Sequence, residues 1–260
     1  MSSFHRSIRA AATAVIAVAP LAMAGAPALA AAPLLQAPMH HSSSTVPFFI
    51  SHGGGARNTT VTSDNWSGYA ATGSTYTSVS TTFTQPAVKC SSGDQYSSFW
   101  VGLDGYSSDS VEQTGTEADC AGRTAEYSAW YELYPAYPVT YSNTVRPGDV
   151  ITETVTFSGT ATYAMTIKDT TEGWTKTTTK TSRGDARSSA EVIAEAPYSG
   201  GVLPLADFGT VNFSGSTVNG SSLSSFSPTG IDMTSDSTGA AEATVSSLSG
   251  GSFSDTWNSQ

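Results

Sequence analysis

The chain has 260 residues, of which 21 are acidic and 11 are lysine or arginine, and its formal net charge at pH 7 is −10. All 21 acidic residues but only eight of the basic ones follow residue 57, so this later part has a formal charge of −13. A surface this acidic and this poor in lysine repels nucleic acid and anionic lipid. We therefore exclude nucleic acid and membrane as partners.

The first 30 residues resemble a signal peptide, since a basic start is followed by an apolar run and the small-x-small sequence Ala28-Leu29-Ala30. A membrane anchor is the alternative, but Pro20 and Pro27 break a run that is already short for a span. Residues 31–61 are rich in Pro, Ser, His and Gly and contain no acidic residue, which is typical of a prosegment or linker. We expect a secreted, extracellular protein whose folded domain covers residues 62–260.

All four histidines, His5, His40, His41 and His52, precede the predicted domain. Serine–histidine and cysteine–histidine nucleophiles and histidine-ligated metals are thereby excluded from it. Any acid–base chemistry must rest on carboxyl groups, and we expect no metal and no cofactor.

Two cysteines, Cys90 and Cys120, are the only ones in the chain. In an exported protein such a pair is typically a structural disulfide, and no metal-binding motif surrounds either residue. We therefore predict a Cys90–Cys120 disulfide.

Short runs of Thr, Ser, Tyr and Val, separated by turn residues and without helical periodicity, predict an all-β domain. Its size favours one large β-sandwich. The predicted strands are 76–83, 98–104, 124–134, 149–157, 160–168, 174–181, 190–196, 205–213 and 240–245.

Three of these strands alternate in a way that assigns two faces. The core face takes alternate apolar residues, among them Phe99, Val101 and Leu103 in the strand 98–104. The opposite face combines large aromatics with acids: Trp100, Asp104, Glu126, Trp130, Glu132, Tyr134, Glu191 and Glu195. Such a face, if concave, forms a cleft in which Trp and Tyr bind an extended ligand while carboxyl groups react.

Several segments, in order, resemble the glutamic peptidases, the eqolisin family of secreted acid endopeptidases. The resemblance covers residues 62–215 and rests on the order and spacing of six segments rather than on any one. They are NWSGY (65–69), FWVGLDG (99–105), EQTG (112–115), YSAWYELYP (127–135), AEVIAE (190–195) and LADFGTVNF (205–213).

The resemblance implies specific roles for residues at the matching positions. The catalytic glutamate falls on Glu191 and the catalytic glutamine on Gln113, while the residues implied to line the substrate cleft are Trp100, Asp104, Trp130, Glu132 and Tyr134. It further implies a two-sheet antiparallel β-sandwich with a concave cleft, a cleaved basic prosegment, acid activity on protein and peptide substrates, and a monomer without metal or cofactor.

Three positions depart from the family pattern. Ser128 replaces an aspartate that is usual in fungal members, Val192 replaces a tryptophan, and Glu112 stands where an apolar residue is common. These departures bear on substrate preference and pH optimum rather than on the reaction.

A β-sandwich glycoside hydrolase or a carbohydrate-binding module is the alternative, because both combine Trp, Tyr and acids in a cleft. Glu191 and Glu195 even share a strand face. However, four residues of strand span about 13 Å, beyond the ~5–9.5 Å that glycosidase carboxyl pairs need. A non-catalytic module explains the aromatics but not the glutamine.

Overall fold

Regular structure in the described residues, 60–183 and 185–260 of this computed structural model, consists of sixteen β-strands and one short 3₁₀ helix, Leu223–Phe226. The predicted signal peptide and residues 31–59 of the predicted prosegment lie outside this part of the chain. The strands are β1 (Thr60–Ser63), β2 (Trp66–Thr72), β3 (Ser78–Thr84), β4 (Ser98–Leu103), β5 (Val111–Ala121), β6 (Thr124–Tyr134), β7 (Val139–Tyr141), β8 (Val150–Phe157), β9 (Thr162–Asp169), β10 (Trp174–Thr181), β11 (Ser189–Glu195), β12 (Thr210–Val218), β13 (Ser221–Ser222), β14 (Thr229–Thr234), β15 (Ala241–Val245) and β16 (Phe253–Trp257).

The strands form a two-layer antiparallel β-sandwich, as the sequence predicts. One layer runs β14-β2-β11-β4-β5-β6-β7 and the other runs β12-β3-β8-β9-β10. Strands β16 and β15 join the two layers, since β15 pairs with both β16 and β14. The first half of β12 pairs with β16, and its second half pairs with β3 after a register shift between Ser214 and Thr217. Gly215 lies in that shift with φ of 61°, a conformation that costs glycine little.

The main core fills the space between the layers, where alternate residues of facing strands meet. Phe99, Val101 and Leu103 of β4 are fully buried there, together with Ile151 and Val155 of β8. This arrangement confirms the predicted core face. The opposite face of the first layer carries a second buried cluster, which contains Val61, Trp66, Ala70, Trp100, Val111, Trp130, Ile193 and Ile231.

Some strand boundaries differ from the prediction. Residues 205–209 belong to the predicted strand 205–213 but form an irregular segment in which Leu205, Ala206 and Phe208 are buried. The strand, β12, begins only at Thr210. Strand β1 starts at Thr60, so the predicted prosegment boundary at residue 61 falls inside it. No helix in the described ranges is long and apolar enough to cross a membrane.

Strand β5 was not predicted, although it lies between β4 and β6 and carries Gln113. Its sequence, VEQTGTEADCA, shows no apolar alternation because both of its faces bury polar side chains. Glu112, Thr114 and Thr116 lie on the same face as the core residue Ala118, whereas Gln113 lies on the opposite one. Periodicity therefore gives no signal for this strand.

The predicted disulfide between Cys90 and Cys120 is present, with a Cα–Cα distance of 5.4 Å. Cys120 lies near the end of β5 and points into the inter-layer core. The bond therefore attaches the loop before β4 to a central strand.

Replacing both cysteines with serine is expected to lower the free energy of unfolding by about 3 kcal/mol, because the unfolded chain regains the freedom of a 30-residue loop. Equilibrium denaturation in guanidinium chloride measures this loss. The folded fraction of the variant should keep its specific activity, since neither cysteine belongs to the predicted site. Two titratable thiols in the native protein would contradict the assignment.

Candidate active site

Backbone register brings the predicted catalytic residues into one row across the first layer. Gln113 on β5 is the Cα partner of both Glu132 on β6 and Gly102 on β4. Gly102 is in turn the partner of Glu191 on β11. Since partnered residues point to the same side of a sheet, the side chains of Glu191 and Gln113 flank a position without a side chain. Their backbones are about 10 Å apart, two strand spacings.

The amide of Gln113 is oriented by a neighbouring acid. Its Nε2 donates to Oε2 of Glu132 over 3.1 Å, and both side chains are fully buried. This contact settles which end of the amide faces Glu132, because only the NH₂ end can donate to a carboxylate.

Glu191 is a fully buried carboxyl group, and neither of its oxygens has a partner at hydrogen-bonding geometry among the described residues. Burial raises its pKa well above the usual range, and the negative charges of Asp104 and Glu112 raise it further. The Ser189 hydroxyl and the backbone N–H of Tyr106 lie close enough to offset this effect only in part. A high proton affinity suits a group that must take up and return a proton.

Tryptophans occupy the next row of the same face. Trp100 on β4 and Trp130 on β6 are each the Cα partner of Gly115 on β5. A Cβ atom on Gly115 would lie 2.6 Å from Cβ of Trp100 and 2.9 Å from Cζ2 of Trp130, so only glycine allows this packing. Trp66 meets Trp100 edge to face, with ring centroids 5.0 Å apart. The predicted aromatic face therefore exists and is densely packed.

The two other predicted cleft residues differ in their surroundings. Tyr134 at the end of β6 is partly buried and packs on the second cluster. Asp104 follows β4 with φ of 68° and accepts hydrogen bonds from the backbone N–H groups of Arg187 at 2.6 Å and Ser188 at 2.8 Å. Both of its oxygens thus fix the segment that leads into β11, and its assignment to substrate binding stays a prediction.

Glu112, one of the three departures from the family pattern, is a buried acid with a raised pKa. It is fully buried on the core side of β5, and neither carboxyl oxygen has a partner at hydrogen-bonding geometry among the described residues. Burial, followed by the nearby carboxylate of Asp185, raises its pKa to about 8. The other two departures are simpler: Val192 packs in the inter-layer core, and the Ser128 hydroxyl donates to Glu117 over 2.8 Å.

Sequence reasoning missed two features of the site. It placed Glu195 only on the correct face, whereas the structure shows Oε2 of Glu195 accepting a hydrogen bond from Trp100 Nε1 at 2.8 Å. It also gave no role to Gly102 and Gly115. The available signal for Gly102 was its alternate position between Trp100 and Asp104 on the aromatic face, whereas Gly115 lies in β5, where periodicity gives no signal.

No group of three or more His, Cys, Asp or Glu residues is arranged to hold a metal ion in the part of the chain that the structure describes. A surface cavity of about 610 Å³ lies apart from the site, and Asp64, Tyr198, Val202 and Glu242 are among the residues that line it. None of the predicted site residues borders this cavity. The register of the strands, rather than cavity size, therefore identifies the candidate site.

Comparisons with known proteins agree on one group of enzymes. The sequence profile of the Peptidase A4 family matches residues 64–257. Aspergillopepsin-2 of Aspergillus niger is 31% identical over 211 residues, which cover 71% of this chain and 75% of that protein.

Solved structures of similar fold come from the same group. Scytalido-glutamic peptidase in complex with a transition state analog inhibitor has a TM-score of 0.66 and 25% identity, over 75% of this chain and 98% of that one. Aspergilloglutamic peptidase from Aspergillus niger has a TM-score of 0.56 and 30% identity, over 63% of this chain and 99% of that one.

Proposed function

Because this chain belongs to the peptidase A4 family and is therefore a glutamic endopeptidase, we propose that Glu191 and Gln113 form its catalytic pair. The observation that carries the proposal is the row in which both side chains flank Gly102 on one face of the sheet. A peptide carbonyl and a water molecule bound above the Trp100 ring that covers Gly102 would be within reach of both groups.

Each residue has a distinct chemical task in the proposed reaction. In its ionised form, Glu191 takes a proton from water as the water oxygen attacks the carbonyl carbon of the peptide. When the C–N bond breaks, Glu191 returns that proton to the leaving amine nitrogen. Gln113 cannot shuttle protons, but its amide can orient the water and donate a hydrogen bond to the oxyanion of the tetrahedral intermediate.

The surrounding residues support this assignment. Glu132 holds the amide of Gln113, which reduces the reorganisation needed during the reaction. Trp100 and Trp130 form a packed aromatic layer beside the pair, and the partly exposed ring of Tyr134 on its edge is available to an extended peptide. Family membership decides against the glycosidase alternative, and the hydrogen bond from Trp100 to Glu195 gives that second carboxyl a different partner.

We further propose that the enzyme is secreted as a precursor. Residues 1–30 would direct export and residues 31–61 would be removed as a prosegment. Arg57 and the histidines make that segment basic, whereas the domain has 21 acidic and eight basic residues, so the two attract each other. Because this attraction weakens as carboxylates protonate, release of the segment is favoured in acid.

One assay tests the proposed activity. The secreted protein should digest acid-denatured globin in acid and should leave soluble glucan intact. N-terminal sequencing of the product locates the prosegment junction. Cleavage of glucan without cleavage of globin would overturn the proposal.

A further inference from the structure

The indole of Trp100 lies along the floor between the proposed catalytic residues. Its Nε1 points to Glu195. Its benzene edge points the other way, because a Cβ atom on Gly102 would lie only 2.8 Å from Cζ3 and 3.3 Å from Cε3 of Trp100. Since Gly102 is the Cα partner of both Glu191 and Gln113, that edge of the ring occupies the gap between them.

Glu195 is the group that sets the direction of this ring. Its Oε2 accepts the indole N–H at 2.8 Å, and its Oε1 accepts Nδ2 of Asn65 at 3.2 Å. Asn65 is itself held, because its Oδ1 accepts the hydroxyl of Ser63 at 3.1 Å. Glu195, Trp100, Asn65 and Ser63 are all buried, so the four form a fixed chain of hydrogen bonds from β1 to the catalytic row.

We propose that Glu195 is a positioning residue for peptide hydrolysis, which acts through Trp100 to hold the floor between Glu191 and Gln113. This inference rests on the proposed function. Glu195 lies four residues along β11 from Glu191, about 13 Å of strand, so it does not reach the reacting atoms itself. If the N–H of Trp100 loses its acceptor, the indole can rotate, and the distance between the reacting groups and the substrate changes.

The test is a double-mutant cycle on kcat. Glu195→Met keeps the length of the side chain but removes both acceptors, and we expect it to lower kcat by about 10- to 100-fold, the cost of misplacing reacting groups. Trp100→Phe removes the indole N–H that Glu195 holds. In the Trp100→Phe background, adding Glu195→Met should change kcat no further, because the residue through which Glu195 acts has already lost the contact.

Glu195→Gln provides the conservative variant, and it carries the test if Glu195→Met does not fold. One amide oxygen still accepts from Trp100, so the loss in kcat should be smaller, and it too should disappear in the Trp100→Phe background. Glu153→Gln is the matched control: Glu153 is also fully buried, but it lies on β8 in the other layer. It should alter thermal stability and leave kcat unchanged.

The two ways of failing are distinguishable. If Glu191→Gln keeps full activity, the proposed function is wrong. If Glu191→Gln is inactive but Glu195→Met has wild-type kcat, or if its effect multiplies unchanged with that of Trp100→Phe, the positioning role of Glu195 is wrong.

Discussion

Exchanging Glu191 for glutamine is expected to lower kcat for peptide cleavage by about 10²- to 10⁴-fold, the usual contribution of a general acid–base group. The substitution preserves shape but removes the only proton acceptor proposed for the reaction. Steady-state kinetics on a peptide substrate at the pH optimum measure the loss. Circular dichroism and the melting temperature in acid should stay near those of the wild type, because glutamine has the same shape as the buried glutamate that it replaces.

The partner exchange, Gln113→Glu, should lower kcat by roughly 10²- to 10³-fold, since it replaces an oxyanion donor. It also places a second carboxyl beside Glu132, which now accepts from Gln113 at 3.1 Å. Like charges at that distance raise the pKa of one of the two groups.

Glu195→Gln is the control for the exchange at Glu191. It is the same substitution on the same face of the same strand, and it should cost far less than Glu191→Gln. An indispensable Glu195 together with a dispensable Glu191 would show that the catalytic pair is assigned wrongly.

The sandwich and one face of the site were predictable because apolar and polar residues alternate in strands of which only one side faces the core. In β4, β6 and β11 the core-facing residues are apolar, so the other face could be assigned by elimination. In β5 the same reasoning fails, since Glu112, Thr114 and Thr116 face the core. Only resemblance to a family could then assign Gln113.

The hydrogen bonds that orient the site could not be predicted at all. Trp100 and Glu195 are 95 positions apart in the chain, and their contact depends on the pairing of β4 with β11. The burial of Glu112 could not be predicted either. A glutamate in an unassigned segment looks like a surface residue in the sequence, and only the two-layer packing buries it.

The free energy of unfolding is expected to fall as the pH rises from about 4 to 8, because buried carboxyl groups bind protons more tightly in the folded state. The pKa of Glu112 rises from 4.5 to about 8, first through burial and then through Asp185. The pKa of Asp255 rises from 3.8 to about 7, also mainly through burial. The stability that depends on these protons is fully present below the unfolded-state pKa values and is lost as the pH passes the folded-state values.

For Glu112 the loss is on the order of 3–5 kcal/mol, at about 1.4 kcal/mol for each unit of pKa difference. That is a large share of the ~5–15 kcal/mol that stabilises a typical domain. Urea denaturation at a series of pH values measures the trend. Glu112→Gln, which never ionises, should raise the free energy of unfolding at pH 8 and change it little at pH 3.

Asp109→Asn is the matched control, because Asp109 is exposed and its substitution should leave the slope of stability against pH unchanged. Asp255→Asn should flatten the same slope, mostly below pH 7, where Asp255 titrates. A Glu112→Gln variant with the same slope as the wild type would show that Glu112 is not the buried acid that limits stability. If the slope does flatten, the core itself favours acid conditions, because the proton that Glu112 loses as the pH rises past about 8 is one that the fold requires.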